Sequence, residues 1–445
     1  MTSFPELSQP LASGPKEFNS GTVERNPSLS QPKILFVCNI SHPINSGAGQ
    51  RVYHILRGVA SVGEVTLIYP TKCGDTDPDL EALRPLCKRV YTFPEDSLTG
   101  RRDARLQRPL YWLIHKLRYL HPVLSAHMQN HWSAEGRALV RALCTEPFDL
   151  VWAERISSLR MLPPSLKTRT VVDLDDLEHR KLRSYLKLGK HQRMTPLYLL
   201  ELLKLRRLES KLHALPYEFT VCSEIDRAAL GRKGQVWLVP NGTTLPTNLP
   251  FCIRDKAEPI LLFVGAMYYE PNEDAVTFFA RAVLPLIRKE VADAKFLIVG
   301  MGPSSKVQAL HDGKSIVVVG QVPDVGEYLC RAAVVVVPIR FGGGTRIKIL
   351  EAMAYRRPVV ATSIGAEGLE VDSEKHLLLA DSPSAFASAC VRVLKDNALS
   401  EELAEKGFQL VKDRYQWLKI ERTIGKIVQR TTHEHTCEQD QEVLS

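Results

Sequence analysis

The sequence predicts an α/β protein built from two doubly wound domains with parallel sheets. Two observations carry this reading. Short, β-rich apolar runs alternate with helix-length segments, and the alternation happens twice along 445 residues. The runs are also continuously apolar rather than alternating, as expected of parallel strands covered on both faces. A chain this long exceeds one ordinary core and suits two domains of about 150–200 residues each.

In the first half the strand-like runs are ILFVCNI (34–40), VTLIYP (65–70), VYTFP (90–94), DLVWA (149–153), TVVDLDD (170–176), EFTVCS (218–223) and VWLVPNG (236–242). In the second half they are ILLFVGA (260–266), KFLIVG (295–300), SIVVVG (315–320), AVVVVPI (333–339), PVVATSI (358–364) and HLLLA (376–380). Helices are expected near 272–290, 324–331, 346–355, 383–396 and 400–413, which makes the second half compact. The first half carries mostly helical insertions at about 97–147 and 177–214.

Domain limits follow from composition. Residues 1–31 are rich in Ser, Pro, Gly and Asn without periodicity and read as a disordered leader. The N-terminal Rossmann-like domain spans 32–244. A proline-bearing stretch, TTLPTNLPFCIRDKAEP (243–259), places the linker at 245–258. The C-terminal Rossmann-like domain spans 259–415. An amphipathic helix, DRYQWLKIERTIGKIVQ (413–429), leads into the segment 416–445, a helix with a polar tail.

Composition excludes several classes. Hydrophobic content of 44% and charged content of 24% are those of a globular chain. The longest apolar runs fall far short of the roughly 20 residues of a membrane helix, and no apolar core follows a basic start. Nine cysteines lie scattered without CxxC pairs, Cys38 and Cys222 inside apolar runs, which reads as reduced core thiols in a cytoplasmic protein. The formal charge of +8 is modest but uneven, and no nucleic-acid partner is expected. From Arg101 to Arg118 six basic residues face one acid, and from Arg180 to Lys211 ten face two. These stretches suit either solvated faces with snorkelling side chains or peripheral contact with an anionic membrane at its inner face.

The segment PIRFGGGTRIKILEAMAYRRPVVATSIGAEGL (338–369) carries the strongest chemical signal. A buried strand ends at Ile339, three glycines follow, and a helix begins near Thr345 and Arg346. Glycines let a ligand approach the backbone, and free N–H groups at a helix start attract phosphate. Arg346 and Lys348 sit at that end, where cations oppose the helix dipole unless an anion is present. Glu351, about one turn on, can accept two ribose hydroxyls. Glu367 lies on the next strand-end loop, facing the glycines. In VVDLDDLEHRK (171–181) the cluster Asp173, Asp175 and Asp176 could bind a metal or a sugar hydroxyl, or cap the next helix. His54 and His179 read as structural.

This stretch resembles the family-4 (group 1) glycosyltransferases of GT-B fold, in a branch with a GGGTR loop. Their signature is a Glu, seven residues, then a second Glu with Ala-Met-Ala and a Pro-Val-Val strand. Glu351-Ala352-Met353-Ala354 and Pro358-Val359-Val360 match the second half of it. LLFVGAMYYEPNEDAV (261–276), with Gly265 and Asn272, is similar to the first strand and loop of the donor domain. VPNGTTL (239–245) and NSGAGQRVYHIL (45–56), with Gly47, Gly49 and Arg51, resemble the segment before the linker and the N-domain loop near the transferred sugar. Departures are specific: Gly343 stands where the first Glu belongs, Met267 where an Arg does, and Pro271 and Asn272 where a Lys does. A frequent His after DLVWAE (149–154) is absent.

The resemblance implies two domains facing across a cleft, with a nucleotide diphosphate sugar bound on the C-terminal one. Glu351 would hold the nucleotide. The backbone of Gly342, Gly343, Gly344 and Thr345 would hold the diphosphate with Arg346 and Lys348, which substitute for the missing loop cations. It further implies a retaining transfer with no metal and no cofactor beyond the donor. Neither the acceptor nor a catalytic base is assigned. A nucleotide-sugar epimerase and a non-catalytic sugar-nucleotide-binding protein are the alternatives.

Overall fold

A computed structural model of the chain describes residues 31–44, 46–71, 77–95, 117, 119–121, 125–126, 133–188, 195–231, 236–247 and 258–442. Residues 1–30 of the leader, most of the 97–147 insertion and residues 248–257 of the linker therefore lie outside the described residues.

Every apolar run read as a strand contributes one. The N-terminal lobe holds β1 (Lys33–Val37), β2 (Glu64–Thr71), β3 (Arg89–Pro94), β4 (Leu150–Glu154), β5 (Thr170–Asp173), β6 (Glu218–Val221) and β7 (Val236–Leu238). They pair in the order β3-β2-β1-β4-β5-β6-β7, parallel throughout. The C-terminal lobe holds β8 (Ile260–Val264), β9 (Lys295–Val299), β10 (Ile316–Gly320), β11 (Val334–Val337), β12 (Val359–Ala361) and β13 (Leu378–Leu379). Their order is β10-β9-β8-β11-β12-β13, again parallel.

Strand β1 shows why the runs are continuously apolar. Ile34 and Phe36 pack into one core, whereas Leu35 and Val37 pack into another on the opposite face of the same sheet. Successive side chains of a strand point to opposite faces, so both sets must be apolar. The C-terminal lobe has a single extended core around β8, β9, β11 and β12.

The predicted tail helix runs Trp417–Glu442 and returns to the N-terminal lobe. Its stripe Trp417, Ile420, Ile424, Ile427 and Val428 joins the core of helix Gly47–Ala60. A Cβ on Gly58 would stand 2.9 Å from Ile424 Cβ, so the two helices touch at a glycine. The segment 45–56, read as a loop, is helical from Gly47 onward, with the Ser46 hydroxyl capping Gly49 N at 3.0 Å. Two low-propensity glycines hid that helix. Among the described residues no helix is long and apolar enough to cross a membrane.

In both sheets the chain order reverses beside the first strand, between β1 and β4 and between β8 and β11. Open α/β sheets bind ligands at such switch points, beyond the carboxyl ends of the strands.

Candidate active site in the cleft between the lobes

Beyond β11 the chain forms the glycine loop and then helix Ile347–Ala354. Gly342 and Gly344 have φ of 117° and 75°, a region side chains rarely adopt. The N-terminal lobe grips this loop at several points. Ser184, on helix Glu178–Lys187, accepts from Gly342 N at 2.8 Å and donates to Gly342 O at 3.1 Å. Tyr185 stands edge-on to Phe341, with ring centroids 4.7 Å apart. Asn241 donates to Thr345 Oγ1 at 2.8 Å. The Gly342 N–H read as a phosphate donor is therefore engaged by Ser184.

Arg346 is 9% exposed. One guanidinium nitrogen donates to the Gly343 carbonyl, while Nε is buried without a hydrogen-bond partner. The residue thus braces its own loop and keeps donor capacity beside it.

The predicted donor residues converge at the β8/β11 switch point. Gly265 follows β8, and a Cβ there would lie 2.7 Å from Lys348 Nζ and 2.8 Å from Asn272 Nδ2. A side chain there would displace both groups. Lys348 Nζ donates to Asn272 Oδ1 at 2.8 Å and sits 4.2 Å from the centre of the Phe263 ring. Asn272 in turn donates to Ala266 O at 2.8 Å. Met267, where the resembling family carries Arg, is 1% exposed and belongs to the core. Lys348 is thus the cation that reaches the loop after β8. Burial, with Arg346 nearby, pushes its ammonium down to about 7 against the pull of Glu351. Burial also raises the Glu351 carboxyl, opposed by Lys348 and by a hydrogen bond from Gln50 of the N-terminal lobe.

The other predicted residues divide. Gly47 faces the site: a Cβ there would approach Ile347 Cδ1 to 3.2 Å. Gly49 is fixed by packing, since a Cβ would meet Pro43 O at 2.0 Å. Arg51 is turned inward and 2% exposed. It forms a fork with Asp173 at 2.6 and 2.9 Å and donates to Val239 O and Asn241 Oδ1 at 2.9 and 3.0 Å. It acts on the cleft through Asn241. Glu367 meets Arg180, which also contacts Asp226 at 3.3 Å.

The aspartate cluster is divided as well. Asp173 serves Arg51 and Thr220, and Asp175 lies between Arg51 and Arg155 at 3.5 and 3.3 Å. Helix Glu178–Lys187 has Leu177 at its cap position and no side-chain cap, so none of the three aspartates caps it. Among the described residues no group of three or more His, Cys, Asp or Glu is arranged to hold a metal ion. His179 pairs with Glu209, and His54 pairs with Glu421 at 2.6 Å and stacks on Trp417. Both are structural.

Asp176 alone of the cluster faces a cavity of about 330 Å³, together with Arg180, Lys181, Ser184, the glycine loop and Glu367. The gripping residues Ser184, Tyr185, Asn241 and Gln50 were not singled out in the sequence. Asn241 lies in the VPNG segment and Gln50 in the NSGAGQ segment, which were the available signals.

Two parallel doubly wound lobes, closing over a glycine loop and a Lys–Glu pair at the switch point, define the GT-B class of fold. Residues 258–396 match the family model described as glycosyl transferases group 1. The phosphatidyl-myo-inositol mannosyltransferase of Mycobacterium leprae is 31% identical over 173 residues, 38% of this chain and 45% of the relative. The chain spans about half the length of the first curated relatives it matches. Among solved structures, sucrose-phosphate synthase from Thermosynechococcus elongatus superposes with a TM-score of 0.60 at 19% identity, over 90% of this chain and 99% of that one. Anabaena HepE, in complex with UDP and glucose, gives 0.58 at 14%, over 90% and 100%. These structural likenesses are likenesses of fold.

Proposed function

We propose that the protein is a glycosyltransferase that moves a sugar from a nucleotide diphosphate sugar to an acceptor, with retention. The observation that carries this is the convergence of Gly265, Asn272, Lys348 and Glu351 at the switch point of the C-terminal sheet. Glycine clears room for a ligand, an ammonium stands beside that room, and an acid one turn away suits ribose hydroxyls.

The nucleotide lies over the C-terminal lobe with its ribose on Glu351, displacing Gln50. The diphosphate takes Lys348, with the free donor capacity of Arg346 at its side. As the glycosidic bond breaks, negative charge grows on the leaving diphosphate, and these two cations stabilise it without a metal ion. Asp173 and Asp175 are committed to Arg51 and Arg155 and take no part. UDP is the first nucleotide to try, given the ligand of the HepE structure.

The test is a panel of nucleotide sugars incubated with the chain, followed by release of nucleoside diphosphate. Release from one donor, increased by an acceptor, supports the reading. A second sugar nucleotide formed without acceptor would show an epimerase, and tight binding without any turnover a binding protein.

A further inference from the structure

We propose that Asp176, from the N-terminal lobe, supplies the carboxylate that binds hydroxyls of the transferred sugar above Gly343. This rests on the donor reading above.

The first observation is a close approach. A Cβ on Gly343 would lie 2.6 Å from Asp176 Oδ2 and 2.9 Å from Lys181 Cβ, and one on Gly344 would lie 3.3 Å from the same oxygen. Gly342 and Gly344 need glycine for their positive φ, but Gly343 has no such φ. What excludes a side chain at 343 is the space held by Asp176 and by the Lys181 stem. Where the family resembled here has a Glu, this chain has Gly343 with the Asp176 carboxylate reaching over it from the other lobe.

The second observation is what the carboxylate lacks. Asp173 and Asp175 are spent on buried arginines, whereas no hydrogen bond among the described residues engages Asp176. It opens on the 330 Å³ cavity beside the glycine loop. An unengaged carboxylate over a glycine crest fits a polyol, because its two oxygens can accept from neighbouring hydroxyls. The groups around it are Lys181 and Arg155, which favour its charge, and Asp175 and Glu178, which oppose it. Burial, reinforced by those two acids, pushes the carboxyl up to about 7. Ionic contact with the sugar's hydroxyls at neutral pH is therefore partial in the empty site and grows when hydroxyl donors arrive.

The assignment explains why the two lobes are held so close here. Ser184 fixes Gly342 and Asn241 fixes Thr345, so the loop crest between them stays under Asp176.

The test compares Asp176→Ala, Asp176→Asn, Gly343→Glu and the exchange Asp176→Gly with Gly343→Glu. Each is titrated with UDP, GDP and their glucose, N-acetylglucosamine and mannose conjugates, and assayed for turnover, with melting temperature measured on the same preparation. Asp176→Ala is expected to keep nucleoside diphosphate affinity within about twofold and to lose roughly 10²-fold in turnover. Asp176→Asn should fall between, and the exchange should recover part of the turnover that Gly343→Glu alone loses, because Lys181 still crowds position 343. Native turnover in Asp176→Ala overturns the proposal. So does an equal loss of affinity for the nucleoside diphosphate and its sugar conjugate, which would give Asp176 a role in holding the loop. If the native chain binds no nucleotide at all, the donor reading itself falls, and this proposal falls with it.

Discussion

Asn241 and Thr345 are joined across the cleft, the amide of one donating to the hydroxyl of the other at 2.8 Å. Behind this contact stands Arg51, which donates to Asn241 Oδ1 and is itself held in the fork of Asp173. A buried ion pair in the N-terminal lobe thus fixes a residue of the C-terminal glycine loop, 104 positions beyond Asn241 in sequence.

Replacing Arg51 by Met should therefore act on stability first. It leaves the Asp173 carboxylate buried without its counter-charge, which costs about 3–5 kcal/mol. The expected result is a large fall in melting temperature, with Arg51→Lys recovering only part because a point charge cannot fill the fork. An unchanged melting temperature would remove the ion pair from the structural role given to it.

With the diphosphate on Lys348 as proposed, donor binding should depend on pH. In the empty site its ammonium titrates at about 7, lowered by burial and by Arg346. A bound diphosphate favours the charged form, so binding takes up a proton. Affinity is expected to be greatest below pH 7 and to decline as pH rises above it. Calorimetry with UDP, which lacks the sugar that draws a proton from Asp176, in buffers of different ionisation enthalpy reads the uptake directly. Lys348→Met should abolish both the uptake and the slope. A wild-type affinity that rises with pH would contradict the assignment.

Arg346 braces the Gly343 carbonyl and leaves Nε without a partner. Both roles predict losses, but in different measurements. If charge compensation in the transition state dominates, Arg346→Ala loses roughly 10²–10³-fold in turnover while donor affinity changes less. If bracing dominates, melting temperature falls and the folded fraction keeps its turnover. The unpartnered nitrogen favours the first outcome.

Transfer activity should survive EDTA, because Lys348 and Arg346 are proposed to stabilise the leaving diphosphate and two of the three clustered aspartates are tied to arginines. Loss restored by Mg²⁺ or Mn²⁺ would show that protein cations do not suffice.

The sheets were legible because their physics is local. A strand such as β1 feeds two cores, so its run is apolar at every position. The proposed donor residues stood out as a coincidence of strand end, glycines, cations and acid in one segment. What joins them did not. Ser184 and Gly342 are 158 residues apart, and Asp176 reaches Gly343 from the other lobe. No periodicity encodes such contacts. Arg51 looked like a cleft cation because its partner, Asp173, lies 122 residues away. Helix Gly47–Ala60 was masked by Gly47 and Gly49, although Ser46 offered a cap.

The donor site is tested most directly by titrating Glu351→Ala and the native chain, side by side, with UDP, GDP and their sugar conjugates. Native protein should bind one nucleotide. The alanine variant should bind it markedly more weakly, because two hydrogen bonds to a charged acceptor are worth about 1.5–3 kcal/mol each, and Glu351→Gln should lose less. Equal affinity in native and alanine proteins would contradict the placement of the nucleotide on Glu351, and with it the donor site drawn at the β8/β11 switch point.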